Sequence, residues 1–305
     1  MKPSAYVWIF CIKPARKRRC KDMAPAQLRI AMKDLLDNSV INTPRAIGSL
    51  AVTAQAVDGS SRLKDLYQNG CLKALFPNQP EHLEAVLINT SGGITGGDHL
   101  SFNAKAEPQA HLTLTTQACE RIYKAQPDSI GRVETTLSIA PEASLNWVPQ
   151  ETLFYDKGGL SRRLTIRMHH SAKLLMVEPV IFGRHAMGET QISGFLRDQV
   201  ELWVDEALVY RDVALLSGDI TAKLARPAVA AGLGAMANIL YRAPDAARLC
   251  RAIQTQLNDT SGCSLIAPDL CALRVLAHDG YALRQIILPI LDRLTQNTLP
   301  KCWRL

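Results

Sequence analysis

The sequence lacks several features that identify common protein classes. None of its eight cysteines forms a Cys-x-x-Cys pair, and no apolar run approaches the roughly 20 residues of a transmembrane helix. No Gly-x-Ser-x-Gly, His-Glu-x-x-His or dinucleotide-binding motif occurs either. These absences argue against a structural zinc site, a membrane span and the common hydrolase, metalloprotease and Rossmann enzymes. Since no nucleophile and base stand at a recognisable spacing, a non-enzymatic role is favoured.

The cysteines and the N-terminal residues predict a cytoplasmic protein. The short apolar run 6–12 precedes the basic cluster 16–19, whereas a secretory signal places its charges before the apolar stretch. The cysteine spacing is irregular and does not suggest a disulfide framework. We therefore expect a reducing compartment and free thiols that are mostly buried as small hydrophobic side chains.

The net charge of +7 is confined to the beginning of the chain. Residues 1–21 contain seven lysines and arginines and no acid, which accounts for the whole excess of 35 basic over 28 acidic residues. Because the remainder is neutral, no nucleic-acid-binding or membrane-binding face is expected. We predict a basic extension over residues 1–40, outside the fold, and a single domain over residues 41–305.

From about residue 47 to residue 225 the hydrophobic pattern has a period of two. Apolar and polar residues alternate over 111–115, 163–168 and 200–204, and turn-forming residues separate such segments. Alternation of this kind is typical of strands with one buried face. Since few helical patterns intervene, the sequence predicts a mostly β fold with antiparallel strands.

A few helices are predicted, mainly in the C-terminal third. Residues 117–125 lack alternation and favour a short helix within the β region. A second helix is predicted to begin at Asp245, and a third to span 283–296, with Pro289 kinking or splitting it. A strand over 270–277 is expected between the last two helices.

A glycine-rich segment follows the apolar run 85–88. Its four glycines are Gly92, Gly93, Gly96 and Gly97. No Lys-Ser/Thr pair and no helix pattern follow them, so a tight turn between strands is favoured over a phosphate-binding loop. Asp98 ends this turn with a carboxylate that either accepts hydrogen bonds from backbone amides or binds a cation. A less favoured alternative pairs Asp98 with His99 as the acid and base of a β-rich hydrolase.

A cluster of polar residues lies where a strand is expected to give way to a helix. Thr115, Thr116 and Gln117 occupy this position, and Thr116 is predicted to cap the helix N-terminus. Cys119 is alternatively a soft-metal ligand, although a lone cysteine gives little support for a site.

A carboxylate and several mixed donors follow the apolar strand around residue 177. Glu178 is expected to be partly buried, and a buried carboxylate requires a partner or a metal; Arg184 is the expected ion-pair partner. His185, Met187 and Glu189 offer nitrogen, sulfur and oxygen donors close together. Such a mixed set suits a borderline ion such as Ni²⁺ bound transiently better than a structural metal.

Four segments together resemble the UreD (UreH) family of urease accessory proteins. Residues 89–100 resemble its Gly-Gly-x-x-Gly-Gly-Asp signature, and 115–123 resemble its Thr-Thr-Gln segment. Residues 147–154 are similar to its Leu-Pro-Gln stretch, and 182–189 to its Gly-Arg-x-x-x-Gly-Glu stretch. Their order and spacing also match, and the resemblance extends from about residue 46 to the end.

The resemblance implies a non-enzymatic scaffold for urease maturation. Proteins of this family bind UreF-type accessory proteins and, through them, the nickel-carrying UreG-type GTPase, and the assembly docks on apo-urease. Nickel then passes towards the urease active site, in part through a water-filled passage in the accessory protein. The implied fold is mostly β, with strands wound in a β-helix-like or sandwich-like manner, and no tightly bound cofactor is expected beyond transient Ni²⁺.

The resemblance also assigns expected roles to individual residues. Asp98 and Glu178 are predicted to line the nickel passage, with Thr115 and Thr116 as neutral neighbours. Weak oxygen donors suit such a conduit, because the ion must be able to leave. The remaining family-motif residues are predicted to be structural: Gly92, Gly93, Gly96, Gly97, Gln117, Arg184 and Glu189. A generic partner-binding β-domain unrelated to nickel stays open as an alternative.

Overall fold

The computed structural model describes residues 44–127, 129–184 and 187–304. The predicted basic extension over residues 1–40 lies outside these ranges. Most of the described residues belong to strands. The strands are β1 (Ile47–Val57), β2 (Ser60–Gly70), β3 (Leu72–Leu75), β4 (Leu83–Asn89), β5 (His99–Ala106), β6 (His111–Thr116), β7 (Glu120–Ile122), β8 (Gly131–Ile139), β9 (Ser144–Trp147), β10 (Thr152–Phe154), β11 (Gly158–Met168), β12 (Lys173–Phe182), β13 (Ser193–Val204), β14 (Ala207–Asp219), β15 (Ala235–Arg242), β16 (Gly262–Ala267) and β17 (Leu270–Ala277).

The helices lie late in the chain, as the sequence predicts. They are α1 (Ile220–Leu224), α2 (Ala246–Gln254) and α3 (Gly280–Leu294), and a 3₁₀ turn follows at Lys301–Arg304. Helix α2 begins directly after Asp245, and β17 separates it from α3, so both predictions are confirmed. Pro289 lies inside α3 without dividing it into two helices.

The chain winds back and forth between two sheets. One sheet has seven strands in the order β14-β13-β11-β8-β5-β1-β2. The other has ten strands with the main order β16-β17-β15-β12-β9-β6-β4-β3, while β10 pairs with β12 and β7 pairs with β10. From β4 to β13 each circuit of the chain adds a strand to both sheets. The mostly β, β-helix-like prediction is therefore confirmed.

The antiparallel part of that prediction is wrong for the middle of the fold. Strands β1, β5, β8, β11 and β13 are parallel neighbours in one sheet, and β4, β6, β9 and β12 are parallel neighbours in the other. From β4 to β13 the chain passes alternately from one sheet to the other, apart from the short strands β7 and β10, which follow β6 and β9 in the same sheet. Sheet neighbours in this region therefore run in the same direction. Antiparallel pairs occur where the winding ends, as in β1–β2, β3–β4, β13–β14 and β12–β15.

The predicted helix over residues 117–125 is also wrong. This segment contains the short strand β7, which pairs with β10. The glycine-rich turn holds it extended, because Ile94 N donates to Arg121 O at 2.7 Å and Tyr123 N donates to Ile94 O at 2.8 Å. These tertiary hydrogen bonds replace the ones that a helix would have made locally.

Two hydrophobic cores lie on opposite faces of the ten-stranded sheet. The larger core fills the space between the two sheets, with Leu112, Leu145 and Leu164 among its fully buried residues. The second core packs α2, α3 and the C-terminal Trp303 against the outer face. The stretch Arg45–Leu305 groups into one compact unit. Within the described ranges, no helix is long and apolar enough to cross a membrane.

Candidate functional site

A cavity of about 60 Å³ lies between the two sheets. Its apolar wall includes Phe102, Trp147 and Leu160. Its polar lining residues are Thr116, Glu120, Thr135, Gln150, Thr152, Arg162 and Glu178. A space of this size holds a small number of water molecules, and the carboxylates make it a candidate site for a cation. We refer to it as the inter-sheet cavity.

The centre of the inter-sheet cavity is an ion pair that crosses from one sheet to the other. Arg162 of β11 forms an ion pair with Glu178 of β12, and both side chains are almost fully buried. Arg162 also donates to both oxygens of Asp198, from Nε at 2.9 Å and from the terminal nitrogen at 2.6 Å. Trp147 Nε1 donates to Glu178 Oε1 at 2.7 Å. The two sheets are thus joined by charge as well as by apolar packing.

Strand geometry explains why these charges meet. Arg162 and Asp198 are directly opposite in the parallel β11–β13 pair. Arg162 lies on the same face of β11 as the buried Leu160 and Leu164, because side chains two apart point the same way. The same alternation turns Glu178 into the space between the sheets. The charges therefore occupy positions where the sequence pattern leads one to expect apolar residues.

The charges of the inter-sheet cavity are not balanced. One guanidinium, that of Arg162, faces the carboxylates of Glu178 and Asp198. Burial raises the pKa of Glu178. The charge of Arg162 acts in the opposite direction, because it favours the ionised carboxylate. When both carboxylates are ionised, the cluster has an excess negative charge away from bulk water. A proton or a small cation neutralises that excess.

Glu120 is the second carboxylate among the lining residues of the cavity, and the sequence analysis did not select it. It lies on β7 beside the glycine-rich turn, and Asn89 Nδ2 approaches its two oxygens at 3.3 and 3.2 Å. Burial raises the pKa of Glu120 to about 7. A carboxylate with this pKa takes up or releases a proton near neutrality, and so exchanges readily with a passing cation.

The predicted passage residues separate into two groups. Glu178 and Thr116 line the inter-sheet cavity. Thr116 does not cap a helix, because its hydroxyl donates to Ala118 O and accepts from Gln150 N at 2.9 Å. Thr115 is fully buried and contacts Cys302 Sγ at 3.4 Å. Thr115 and Asp98 are not among the residues that line the cavity.

Asp98 binds backbone amides, which is one of the two alternatives left open by the sequence. Its Oδ1 accepts from Ala46 N and its Oδ2 from Thr95 N, both at 2.8 Å. His99, the next residue, is half-exposed and lies 3.6 Å from a Glu134 oxygen. Since adjacent residues at a strand start point to opposite sides, Asp98 and His99 do not form the acid–base pair of the hydrolase alternative.

The glycine-rich segment is a turn, as predicted. Gly93 has φ +148°, and a Cβ there would lie 2.3 Å from the Tyr123 ring. A Cβ at Gly96 would lie 2.4 Å from Ser129 Oγ. Close packing against these neighbours explains why two of the turn residues lack a side chain. Gln117 lies directly after β6, and its N donates to Leu87 O at 3.0 Å, which extends the parallel pairing of β4 and β6.

The sequence suggested an ion pair between Arg184 and Glu178, and the structure does not contain it. It pairs instead with Glu189, with its Nε 3.1 Å and its terminal nitrogen 3.0 Å from the two carboxylate oxygens. This hydrogen bonding lowers the pKa of Glu189. The Arg184 guanidinium also lies 4.4 Å from the centre of the Tyr155 ring. Of the mixed-donor set, Glu189 is paired with Arg184 and Met187 is exposed. His185 lies outside the described residues, so the set stays a prediction.

A second buried carboxylate was also missed. Glu151, directly before β10, accepts hydrogen bonds from Arg284 Nε at 2.6 Å and from Cys119 Sγ at 3.3 Å. Arg284 comes from α3 and also donates to Gln150 Oε1, so these contacts attach the helix to a lining residue of the cavity. Sequence separation hides it, since the two partners are 133 residues apart.

Comparison with known proteins gives a single family. The profile of the UreD urease accessory protein family matches residues 46–304. The chain is 45% identical over 255 residues to the urease accessory protein UreD of Ruegeria pomeroyi, covering 83% of this chain and 99% of that protein. It is 40% identical over 274 residues to the UreD of Sinorhizobium medicae, covering 88% and 99% of the two chains. The chain belongs to the UreD family of urease accessory proteins.

Proposed function

We propose that this chain is a scaffold of urease maturation that helps transfer Ni²⁺ from a GTPase–accessory complex into apo-urease. In this proposal it works in the cytoplasm, without catalysing a reaction itself. Its partners are a UreF-type protein, a UreG-type GTPase and the urease apoprotein. The ion crosses the chain through the inter-sheet cavity and does not remain bound.

The observation that supports this proposal is the unbalanced charge between the sheets. Glu178 and Asp198 share one cation, Arg162, and Glu120 adds a further carboxylate to the lining of the cavity. A Ni²⁺ ion that enters this space displaces a proton from a carboxylate and is then bound by oxygen donors. Oxygen donors hold nickel more weakly than imidazole or thiolate ligands do, so the ion can leave again.

The polar neighbours of these carboxylates also fit a passage. Thr116 and Gln150 line the same cavity, and the Gln150 side-chain Nε2 is buried without a hydrogen-bond partner. A buried donor of this kind is normally satisfied by water. Water in the cavity would complete the hydration of an ion that has only a few protein ligands at a time.

Exposed apolar residues on the edge strands fit the partner-binding part of the proposal. Leu66 and Tyr67 are exposed on β2, and Val213 and Leu215 are exposed on β14. These strands form the two edges of the seven-stranded sheet. Apolar patches of this type on a soluble chain are typical of protein-binding surfaces.

Nickel incorporation into urease tests the proposal. Glu178→Gln and Glu120→Gln should each lower the nickel bound per urease active site, because each removes negative charge from the cavity. Glu206→Gln is the matched control, since that carboxylate is 88% exposed and faces a surface arginine. Co-purification of the mutant chain with its accessory partners and urease must be unchanged. Full nickel loading in both cavity variants, with intact assembly, would refute the passage.

A further inference from the structure

Three cysteines that are scattered in the sequence meet in the second core. Cys250 lies on the buried face of α2, Cys263 lies on β16, and Cys271 lies on β17. The Cys263 sulfur is 3.2 Å from the Cys250 sulfur and 3.2 Å from the Cys271 sulfur. All three sulfur atoms lie within 4.8 Å of one another. The spacing of these residues in the sequence gave no indication of a shared site.

Local geometry explains the meeting of the three thiols. In the antiparallel β16–β17 pair, Cys263 is opposite Leu273, and Cys271 is two residues before Leu273. Both cysteines therefore point to the same face of the sheet. Helix α2 packs on this face through Ala246, Leu249 and Ile253, and it presents Cys250 along with them.

We propose that Cys250, Cys263 and Cys271 form a three-coordinate thiolate site for a soft monovalent metal ion of the Cu(I) class. Thiolate sulfur selects Cu(I) and zinc among the biological metals. A structural zinc ion requires four ligands, and no histidine, aspartate or glutamate within the described ranges joins the group. Cu(I) accepts three sulfur ligands, so the group is complete for it.

The dimensions of the cluster fit such an ion. With metal–sulfur bonds of about 2.3 Å, three coplanar sulfurs lie about 4 Å apart, so binding opens each 3.2 Å edge by about 0.8 Å. Cys263 directly follows Gly262, which is exposed and has no side chain, so the path for an ion from the surface to the cluster is short.

The site is distinct from the passage proposed for nickel. It lies on the outer face of the ten-stranded sheet, whereas the inter-sheet cavity lies on the inner face. Ni²⁺ prefers nitrogen and oxygen donors in square-planar or tetragonal geometry, which three sulfurs on a small triangle do not supply. We therefore expect the cysteine cluster to discriminate against the ion that the cavity would transport.

Anaerobic titration with Cu(I) against a chromophoric Cu(I) chelator tests the site. The parent for this test is the full chain with its other cysteines changed to serine, so that the cluster supplies the only thiols. The replaced residues are Cys11, Cys20, Cys71, Cys119 and Cys302. We expect one Cu(I) per chain, three sulfur ligands by X-ray absorption, and no competition from Ni²⁺.

Cys263→Ala in the same parent should weaken Cu(I) binding by on the order of 100-fold, because one of three metal–sulfur bonds is lost. Thermal unfolding controls for misfolding, since the metal-free variant should still unfold cooperatively. Bound Cu(I) should raise the midpoint of the parent by more than that of the variant. A parent that binds no Cu(I) would overturn the proposal. So would a folded Cys263→Ala variant that binds Cu(I) as tightly as the parent.

Discussion

Arg162 and Glu178 should differ sharply in what their loss costs the fold, although they are partners. Replacing Arg162 with methionine leaves Glu178 and Asp198 buried with no cation between them. Removing one member of a buried ion pair typically costs about 3–5 kcal/mol of unfolding free energy, since the other charge stays buried and uncompensated. We expect Arg162→Met to fall in that range or to abolish soluble expression.

Glu178→Gln removes the other partner with a smaller effect. Arg162 keeps its two hydrogen bonds to Asp198 and a further one to Thr152 Oγ1 at 3.2 Å, so its charge is not left alone. Trp147 Nε1 donates to Oε1 of Glu178 and Arg162 pairs with Oε2, and in the glutamine one of these two positions becomes an NH2 group, which cannot accept. One unsatisfied buried donor costs about 1–3 kcal/mol. We therefore expect Glu178→Gln to lower the free energy of unfolding by about 2 kcal/mol.

Urea denaturation of the purified chain, followed by tryptophan fluorescence, measures both losses. Arg163→Met is the matched control for the arginine, because Arg163 is the exposed neighbour on the same strand. Its loss should cost less than about 0.5 kcal/mol. The reasoning would be refuted if Glu178→Gln cost as much as Arg162→Met, because Glu178 would then be needed for folding rather than available for an ion.

Three further predictions concern other carboxylates. The pKa of Glu120 is raised from 4.5 to about 7, so the folded state binds the proton more tightly than the unfolded state does. The unfolding free energy should therefore fall as pH rises from about 4.5 to 7. Denaturation measured at several pH values should show a smaller dependence on pH for Glu120→Gln. Asp98→Ala should cost about 2–4 kcal/mol in urea titrations, because two backbone amides lose their acceptor; an unchanged midpoint would contradict the capping role. Arg284→Met should cost about 3–5 kcal/mol by leaving Glu151 unpaired, and the double variant with Glu151→Gln should recover part of the loss.

Alternation in the sequence correctly placed most strands. The same alternation, extended by one step, would also have identified charged residues that face the cavity. The alternation noted over residues 163–168 puts Leu164 and Ile166 on the inner face, and one further step back puts Arg162 there as well. The same step from Leu196 and Val200 puts Asp198 inside. A charged residue in register with buried apolar ones was therefore a readable signal for the centre of the cavity.

Other features were beyond any local pattern. A period of two shows which side chains are buried but not whether the neighbouring strand runs parallel or antiparallel, so the winding of the chain between two sheets could not be deduced. Residues 117–125 have helix-forming composition, yet backbone pairing with the glycine-rich turn makes part of them a strand. The contact of Glu151 with Arg284 and the cluster of Cys250, Cys263 and Cys271 depend on how distant elements pack.

Local sequence was sufficient to predict the family, the mostly β class, the glycine-rich turn and the late helices. These follow from local composition, short-range periodicity and motifs, which extend over a few residues and do not depend on contacts with distant parts of the chain. The tertiary structure alone decided strand direction, the partner of each buried charge and the meeting of the three thiols. Those outcomes depend on contacts between residues far apart in the chain, and burial makes such contacts strong enough to override local preference.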